Sequence, residues 1–349
     1  MRLRTDEWIF QKEMRHIFIA CTCRCLVLVC VLMDPGKSKY LLEQCIGHGT
    51  QSVVYRAREV GTKKIFAMKQ IMCPDVPCPL TSLGANFREV STLNQLRERH
   101  CENIVQLVDV VIGTDRLSLV FECCDESLSD LIRRFKRKRG GDGRLPMGLV
   151  RDLSNQILVG MSQVHACRII HRDIKPQNLF VKREREGSTG LVLKIGDFGL
   201  AKQYTYPPAP ETLDVASLWY RSPEVLLRSG YDVGMDLWGI GCVIAEMMLG
   251  EPLFIEDSEI GMLMKIFQTL GTPGIEEWPA VGYAVNASSE WPKWDRLKCL
   301  ARFRRRICSV TSTSGFELIC GLLKYDSNER MRCKDALRHD FFENSENRV

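Results

Sequence analysis

Three polar residues stand close together between apolar flanks in the stretch IIHRDIKPQNLF. Asp173 is followed two residues later by Lys175 and five residues later by Asn178. Phosphoryl transfer needs a carboxylate near the incoming hydroxyl group, a cation near the moving phosphoryl group and an oxygen ligand for magnesium. These side chains supply those three groups in order, and Asp197 of a downstream DFG triplet supplies a second carboxylate for metal. The spacing therefore predicts a phosphotransfer site.

A glycine-containing loop and a lysine precede this stretch. In IGHGTQSVVYRA, Gly47 and Gly49 carry no Cβ and let the backbone approach a phosphate, while Ser52 stands where a third glycine is expected. On its own, this pattern fits a plain hairpin equally well. Lys69 of FAMKQI would be costly to bury alone, so we expect Glu89 of NFREVSTL to pair with it and hold it against nucleotide phosphates.

The elements that position these residues change in type along the chain. Residues 40–124 contain short β-branched and aromatic runs typical of strands, interrupted by one helical pattern at about residues 86–99. Residues 128–342 are mainly helical by their apolar spacing. We therefore predict an α+β chain with a small strand-rich lobe, a connector near residues 122–127 and a larger helical lobe. A cleft between the lobes is the expected site.

Length and composition place few further restrictions on the protein. The 349 residues suffice for one large domain or two joined lobes, and 45% hydrophobic with 26% charged residues is ordinary for a globular protein. The net charge of +5 comes mainly from basic runs at residues 133–144 and 302–306, which we interpret as solvated helix ends rather than as nucleic-acid or nuclear-targeting signals. The sixteen cysteines lack paired spacing, so we interpret them as buried free thiols in a reducing compartment.

The apolar stretch IFIACTCRCLVLVCVLM, at residues 17–33, allows several interpretations. It is short for a spanning helix, and its central Arg24 is costly in a bilayer. Acidic residues before it disfavour a signal peptide. Its cysteines form a weak pattern for acylation near a membrane. The other interpretation is that translation starts at Met33, which lies fourteen residues before Gly47.

Residues 40–342 resemble a eukaryotic protein kinase and, more narrowly, the cyclin-dependent kinases. The resemblance rests on HRDIKPQN, DFGLAK, SLWYRSPEVLL, IFQTLGTP and LLKYDSNERMRCKDALRHDFF. It implies the bilobal protein kinase fold, in which a small antiparallel β-sheet lobe with one key helix (40–124) joins a larger, mainly helical lobe (125–342). An N-terminal extension (1–39) and a C-terminal tail (343–349) flank this domain.

The resemblance implies transfer of the ATP γ-phosphate, with Mg²⁺, to serine or threonine of protein substrates. Asp173, Lys175 and Asn178 would be catalytic, and Asn178 and Asp197 would hold the metal. Phe121 would be the gatekeeper beside the adenine. The ATP-binding positions would be Ile46, Gly47, Gly49, Val54, Ala67, Lys69, Glu89, Glu122, Cys124 and Phe180, the last replacing an aliphatic residue usual in relatives.

The same resemblance assigns supporting roles in the larger lobe. Ser217 would bond beside Lys175, and Arg221 marks the branch whose members commonly prefer proline directly after the acceptor. Asp236 would anchor the catalytic loop from beneath. The remaining structural positions are a buried Glu224–Arg330 ion pair and a hydrophobic spine of Leu93, Leu107, His171 and Phe198.

Activation is expected to depend on one threonine. Thr212, five residues before Ser217, occupies the position of an activating phosphothreonine. A phosphate adds about −1.5 to −2 charges and would attract Arg88, Arg172 and Lys202. Relatives usually have arginine at the third position, and lysine lacks its bidentate fork. We expect a separate activating kinase to modify Thr212; the alternative is an unmodified surface threonine.

Two further positions bear on regulation. Relatives often carry Thr-Tyr in the glycine loop, where phosphate on either residue blocks productive ATP binding. Here Thr50 is followed by Gln51, so only the threonine brake is available. The helix carrying Glu89 reads PLTSLGANFREV, which is similar to PITSLRE of relatives with residues 84–87 inserted. A cyclin packs on this helix in relatives, so the resemblance implies an unusual cyclin-like activator, another activator, or none.

The leading interpretation is an active, proline-directed serine/threonine kinase of the cyclin-dependent type in the cytoplasm or nucleus. We therefore expect protein substrates and a cyclin-like partner. We expect the protein to bind neither nucleic acid nor a membrane. Cell-cycle and transcriptional roles are equally compatible with the motifs. One alternative is a pseudokinase scaffold, disfavoured because every motif residue for catalysis is present. The other is a signalling kinase tethered to a membrane through residues 17–33.

Overall fold

The computed structural model describes residues 16–20, 27–32, 39–49, 52–72, 84–113, 116–138, 140–184, 190–204, 217–278 and 291–343. The chain divides into two compact units. The strand unit comprises residues 1–87 and 106–123, and the helical unit comprises residues 88–105 and 124–349.

This division differs from the predicted lobe boundary at residue 124, because residues 88–105 group with the helical unit. Backbone hydrogen bonds explain the difference. The Val105 amide donates to the Ile195 carbonyl at 2.9 Å, and the Ile195 amide donates to the Asn103 carbonyl at 2.8 Å. These bonds join a segment that is distant in sequence to the core of the helical unit.

The strand unit is built on one seven-stranded sheet, and the strands predicted between residues 40 and 124 are confirmed. The order across the sheet is β1-β2-β6-β7-β5-β4-β3. Neighbours are antiparallel except β2 and β6, which are parallel. The strands are β1 (His16–Ala20), β2 (Val27–Leu32), β3 (Tyr40–His48), β4 (Ser52–Glu59), β5 (Ile65–Met72), β6 (Leu107–Ile112) and β7 (Arg116–Glu122).

The apolar N-terminal stretch contributes β1 and β2 to this sheet rather than a helix. The two strands pair with each other, with Ile17 opposite Cys30, and β2 continues onto β6, with Val31 opposite Val111. Met33 lies outside the described residues. None of the helices in the described part of the chain is long and apolar enough to cross a membrane.

One face of the sheet forms the core of the strand unit. Tyr40, Ala57, Met68 and Val120 are buried together there. The Tyr40 ring meets the Phe66 ring edge-on at 5.8 Å between centroids, an arrangement that aromatic quadrupoles favour. Because side chains alternate along a strand, the residues next to these point to the opposite face.

The helical unit is held together by buried apolar helices. Every residue of the helix at Gly234–Leu249 is buried, as its almost wholly apolar sequence predicts. Its end is set by Gly250, whose φ of 76° is the left-handed conformation that glycine adopts without a steric penalty. In order, the helices are α1 (Gly84–Glu98), α2 (Leu128–Arg137), α3 (Met147–Ala166), α4 (Pro223–Leu226), α5 (Gly234–Leu249), α6 (Glu259–Leu270), α7 (Arg296–Cys308), α8 (Thr313–Leu322) and α9 (Cys333–Ala336).

Short strands connect the helices near the polar motifs. A three-stranded sheet runs in the order β11-β10-β8, and a two-stranded pair joins β12 to β9. These strands are β8 (Glu126–Ser127), β9 (Ile169–Ile170), β10 (Leu179–Arg183), β11 (Leu191–Ile195) and β12 (Lys202–Gln203). The HRDIKPQN motif therefore lies between β9 and β10, and the DFG triplet follows β11.

The predicted ion pair between Glu224 and Arg330 is confirmed. Both guanidinium nitrogens Nη1 and Nη2 donate to the Glu224 carboxylate at 2.6 Å, and Nε donates to the Lys324 carbonyl at 2.8 Å. The guanidinium also lies 5.2 Å from the centroid of a ring of Trp238 on α5. Both charged residues are buried, so removing one partner leaves the other as a buried charge without a counter-ion.

We expect Arg330→Met to lower the free energy of unfolding by about 3 to 5 kcal/mol, because Glu224 would remain buried without its counter-ion. Urea unfolding at neutral pH measures the loss. The matched control is Arg306→Met, which breaks an exposed ion pair with Glu251 and should cost less than about 1 kcal/mol. Equal losses in the two variants would contradict the role assigned to the buried pair.

A second buried carboxyl lies on α5. Burial raises the pKa of Glu246 to about 7, although the hydrogen bond that Tyr220 Oη donates to it, at 2.7 Å, acts in the opposite direction. The folded chain therefore retains a proton on Glu246 over a pH range in which the unfolded chain has lost it. Through this group, stability is greatest below pH 4.5 and falls as the pH rises to about 7.

We expect Glu246→Gln to remove this dependence, since glutamine cannot ionise but still accepts the Tyr220 hydrogen bond. The stability of the variant relative to wild type should rise between pH 4.5 and 7 and then stay level, with a total change of about 3 kcal/mol. Urea unfolding over this pH range checks it. For Glu251→Gln, at an exposed carboxyl, the stability relative to wild type should hardly change with pH. If the relative stability of Glu246→Gln is also independent of pH, the role assigned to the Glu246 carboxyl is wrong.

Candidate active site

A buried aspartate on α5 holds the segment that carries the predicted catalytic residues. Asp236 Oδ2 accepts from the His171 amide and Oδ1 accepts from the Arg172 amide, each at 2.9 Å. Arg172 has a φ of 69°, an unusual conformation for a residue with a Cβ, and these bonds offset its cost. The predicted role of Asp236 as an anchor beneath this segment is therefore confirmed.

His165, in the last turn of α3, completes the anchor. Its Nε2 lies 2.9 Å from Asp236 Oδ2. Burial is the largest single effect and lowers the pKa of His165, but the hydrogen bonds and charges of Asp236 and Cys333 together raise the pKa to about 10. At neutral pH, the imidazolium therefore pairs with the buried carboxylate. The role of His165 is not visible in the sequence, because its link to Asp236 spans 71 residues and no motif marks it.

Asp173, Lys175, Asn178 and Ser217 come together in the helical unit. Lys175 Nζ lies 2.6 Å from Asp173 Oδ2 and donates to Ser217 Oγ at 2.8 Å, which confirms the predicted bond between Lys175 and Ser217. Asn178 Nδ2 donates to Asp173 Oδ2 at 2.9 Å. The Ser217 amide donates to Asp173 Oδ1 at 3.0 Å. The Asp173 carboxylate is thus oriented from three directions.

Oxygen ligands suitable for a metal lie in the same unit. Asn178 Nδ2 also donates to the Asp173 carbonyl at 2.9 Å, so its hydrogens serve Asp173 and its Oδ1 is the atom left to act as a ligand. Asp197 is exposed and has a left-handed backbone, with φ of 59°. An amide oxygen and a carboxylate are hard donors of the kind that Mg²⁺ prefers. The residues present therefore fit the predicted ion.

The two spine residues nearest the DFG triplet are in contact. The His171 and Phe198 rings meet edge-on with centroids 4.8 Å apart. His171 Nδ1 accepts from the Asp173 amide at 3.3 Å, so Nε2, 3.0 Å from the Gly196 carbonyl, carries the proton. One imidazole thereby links the HRD and DFG backbones. Of the other predicted spine positions, Leu93 and Leu107 are both buried.

Three of the predicted ATP-binding residues of the strand unit, Val54, Ala67 and Lys69, share one sheet face. Lys69 on β5 lies opposite Val54 on β4 and Leu119 on β7, and Ala67 lies opposite Phe121. Paired residues on neighbouring strands present their side chains on the same side. This face is opposite to the one that carries the core residue Met68. Ile46 lies at an irregularity in β3, immediately before Gly47.

The glycine loop shows how a serine is accommodated at its third position. The Gly49 amide donates to the Ser52 carbonyl at 2.7 Å. A Cβ on Gly49 would lie 2.8 Å from Ser52 Oγ, so the glycine at 49 leaves room for the serine. Thr50 lies outside the described residues. Whether these positions bind ATP stays a prediction.

The connector and β10 hold the remaining adenine positions. The Glu122 amide donates to the Gln106 carbonyl at 3.0 Å. Cys124 precedes Asp125, whose amide donates to the Val181 carbonyl at 3.0 Å. Phe180 on β10 packs against Gly196, since a Cβ there would lie 2.8 Å from the Phe180 ring. The glycine directly before Asp197 therefore leaves space for the aromatic ring at position 180.

Glu89 is buried on α1, as expected for a residue with a counter-ion. Lys69 and Glu89 belong to different units, so their predicted ion pair stays a prediction, as does the predicted cleft.

The predicted phosphothreonine ligands have other contacts. Arg172 donates from Nε to the Leu200 carbonyl at 2.5 Å and from Nη1 to Tyr231 Oη at 2.6 Å. Lys202 lies in β12, opposite Ile170 of β9. Arg88 is exposed on α1. Thr212 lies outside the described residues, so the cluster stays a prediction.

Arg221 has an acidic partner that the sequence did not reveal. Its Nη1 forms an ion pair with Glu259 Oε1 at the start of α6. The Arg221 side chain is only 13% exposed, whereas the Glu259 side chain is 40% exposed, so the pair lies at the surface with its arginine side covered. Glu259 follows Ser258, the N-cap of α6, and this capping signal is visible in the sequence whereas the pairing is not.

Comparison with known proteins agrees with this arrangement. Residues 40–342 match the family described as protein kinase domain. The chain belongs to the protein kinase family. It is 37% identical over 316 residues to "Cell division control protein 2 homolog 1" of Trypanosoma brucei brucei, an alignment that covers 87% of this chain and 98% of that protein. The kinase is a serine/threonine protein kinase of the cyclin-dependent type, and its family uses ATP and Mg²⁺ generally.

We expect Asp236→Asn to lower kcat of this kinase by about 10- to 100-fold, because a displaced HRD segment misplaces Asp173. The pKa of His165 should fall from about 10, since burial would act without the opposing carboxylate. Imidazole NMR titration and steady-state kinetics on the same sample test both effects. Asp257→Asn, at an exposed carboxyl, serves as the control and should change neither. A His165 pKa that stays near its wild-type value in Asp236→Asn would contradict the anchor.

Proposed function

We propose that this kinase is active and transfers the γ-phosphate of ATP to a serine or threonine that is followed by proline in protein substrates. The observation that carries the proposal is the Asp173 carboxylate, held by Lys175, Asn178 and Ser217 at 2.6 to 3.2 Å. A carboxylate fixed in this way is oriented before the substrate arrives, which removes an entropic cost from the reaction.

Each residue of this group has a distinct task. Asp173 accepts a hydrogen bond from the substrate hydroxyl and takes its proton as the hydroxyl oxygen bonds to the γ-phosphorus of ATP. The bond from that phosphorus to the bridging oxygen breaks, and this oxygen leaves with ADP. Lys175 bridges Asp173 and Ser217, and its ammonium stabilises negative charge that develops on the phosphoryl oxygens. Ser217 positions both by donating from its amide and accepting with its hydroxyl oxygen.

Magnesium would be held by Asn178 Oδ1 and the Asp197 carboxylate. When bound, it neutralises charge on the phosphate oxygens. In the strand unit, the face that carries Val54, Ala67 and Lys69 would cover the nucleotide, with the backbone at Gly47 and Gly49 closest to its phosphates. The Lys69 ammonium would orient the phosphates, supported by Glu89.

The preference for proline rests on the resemblance around Arg221. The Arg221–Glu259 pair supports the proposal, because it joins the segment after Ser217 to the start of α6 and so gives that segment a fixed conformation. A fixed backbone next to the acceptor distinguishes proline, which has no amide hydrogen, from other residues.

Activation is proposed to require phosphorylation of Thr212 by another kinase and binding of a cyclin-like protein. The similarity to a cell division control protein 2 homolog supports a cyclin-type partner. Arg172 and Lys202 lie on segments joined by the β9–β12 pairing, which supports their joint response to a phosphate. We also propose that the kinase acts in the cytoplasm or nucleus. Neither the scaffold nor the membrane-tethered alternative is favoured by the comparisons.

The test measures phosphate transfer from ATP–Mg²⁺ to a peptide with a serine-proline site and to its serine-alanine twin. The enzyme is the full chain, isolated with its bound partners and with Thr212 phosphorylated. We expect transfer to the proline peptide at least about tenfold above its twin, and a loss of at least about a hundredfold in Asp173→Asn. Equal rates on the two peptides would sink the proline preference. If a fully phosphorylated preparation that contains a cyclin transfers no phosphate to either peptide, the proposed activity is wrong.

A further inference from the structure

A cavity of about 380 Å³ lies among α6, α7 and α8 of the helical unit, away from the HRD and DFG motifs in sequence. Its lining includes the buried residues Leu270 and Leu323 and the partly buried ring of Phe316. Cys320 also lines it, and burial raises the pKa of this thiol to about 12, so the thiol stays neutral and adds to the apolar lining. The interior of the cavity is therefore suited to a large apolar side chain.

Three of the residues that line the cavity are basic. They are Arg296 and Arg304 of α7 and Lys324, which follows α8. The Arg304 guanidinium lies 5.8 Å from the centroid of the Phe316 ring. Arg304 and Lys324 form no ion pair with any residue in the described ranges. The nearby carboxylates are Glu277, which pairs with Arg296 at 2.7 Å, and the exposed Glu317.

Arg296 is less available to a ligand than the other two cations. Its Nε is committed to Glu277, and its guanidinium lies 5.7 Å from the centroid of the Tyr325 ring. Its Nη1 is buried and has no hydrogen-bond partner among the described residues, but an atom without accessible surface cannot be reached from the cavity. Arg304 and Lys324 are therefore the cations that a bound molecule would meet.

We propose that this cavity, which we call the α7 pocket, binds an acidic segment of a partner protein, with one large apolar side chain inserted and carboxylates on either side. Charge complementarity selects this occupant. The helix α7 contains six arginine and lysine residues and no acidic residue, as its sequence RLKCLARFRRRIC shows. Acidic residues flanking the anchor would meet Arg304 and Lys324 at the same time as the anchor fills the apolar interior.

Other occupants match the site less well. A nucleic acid would pair with the cations but has no aliphatic side chain for the space beside Leu270 and Leu323. A fatty acid would fill the cavity but carries a single carboxylate, whereas Arg304 and Lys324 are two cations without an ion pair among the described residues. A peptide supplies both the apolar anchor and several negative charges.

Binding to the full chain is measured by fluorescence anisotropy without ATP, so the result does not depend on phosphotransfer. The probe is a fluorescein-labelled nonapeptide with a central leucine between acidic residues, and its twin has serine at the centre. We expect wild type to bind the leucine peptide at least about fivefold more tightly than its twin. Arg304→Glu should weaken binding by about tenfold or more, because it replaces attraction with repulsion.

The matched control is Arg305→Glu. Arg305 is exposed on the same helix, carries the same charge and does not line the cavity, so this variant should bind within about threefold of wild type. Ala301→Trp places a large ring at an exposed position of the cavity lining and should weaken binding without changing the charge. Thermal unfolding verifies that each variant is folded.

Four results would overturn the proposal. The first is no binding of the leucine peptide at about 1 mM, and the second is equal binding of the serine twin. The third is an equal loss in Arg304→Glu and Arg305→Glu, which would indicate general attraction to a basic helix. The fourth is complete competition by a single-stranded oligonucleotide of the same charge or by a medium-chain fatty acid, which would assign the cavity to that ligand instead.

Discussion

The catalytic segment depends on one buried carboxylate. Asp236 lies in α5, the helix around which the helical unit is packed, and it accepts hydrogen bonds from two consecutive backbone amides of the HRD motif. A carboxylate in that position would be costly to bury without such donors. The bonds from His171 and Arg172, with the charged imidazole of His165, offset that cost. The position of Asp173 is thus coupled to the stability of the whole unit.

This coupling explains why so many buried polar groups surround α5. Arg330 stacks on Trp238 of that helix while it pairs with Glu224, and Glu246 accepts from Tyr220. The Tyr220–Glu246 bond joins α5 to the segment that follows Ser217. Arg330 connects Trp238 of α5 with Glu224 of the same segment. Directional bonds to a rigid helix fix those segments more tightly than apolar packing alone would.

The α7 pocket is a different kind of recognition site. The catalytic group consists of satisfied polar bonds, in which Asp173 is held from several sides. The pocket instead combines an apolar interior with the cations Arg304 and Lys324. Its proposed role is to bind a partner protein, whereas phosphate transfer is assigned to the HRD and DFG residues.

Local features follow from the sequence alone. Periodicity and spacing within a few residues predict the strands between residues 40 and 124, the helix near residues 86–99 and the mainly helical character of residues 128–342, because chain geometry leaves little freedom there. Spacing also predicts the Asp173–Lys175–Asn178 group. Tertiary structure decided the partners that are distant in the chain, such as His165 with Asp236 and Arg221 with Glu259. It also decided the addition of the N-terminal strands to β6. Such pairings depend on how whole elements pack, and many side chains of suitable charge compete for each partner until that packing selects one.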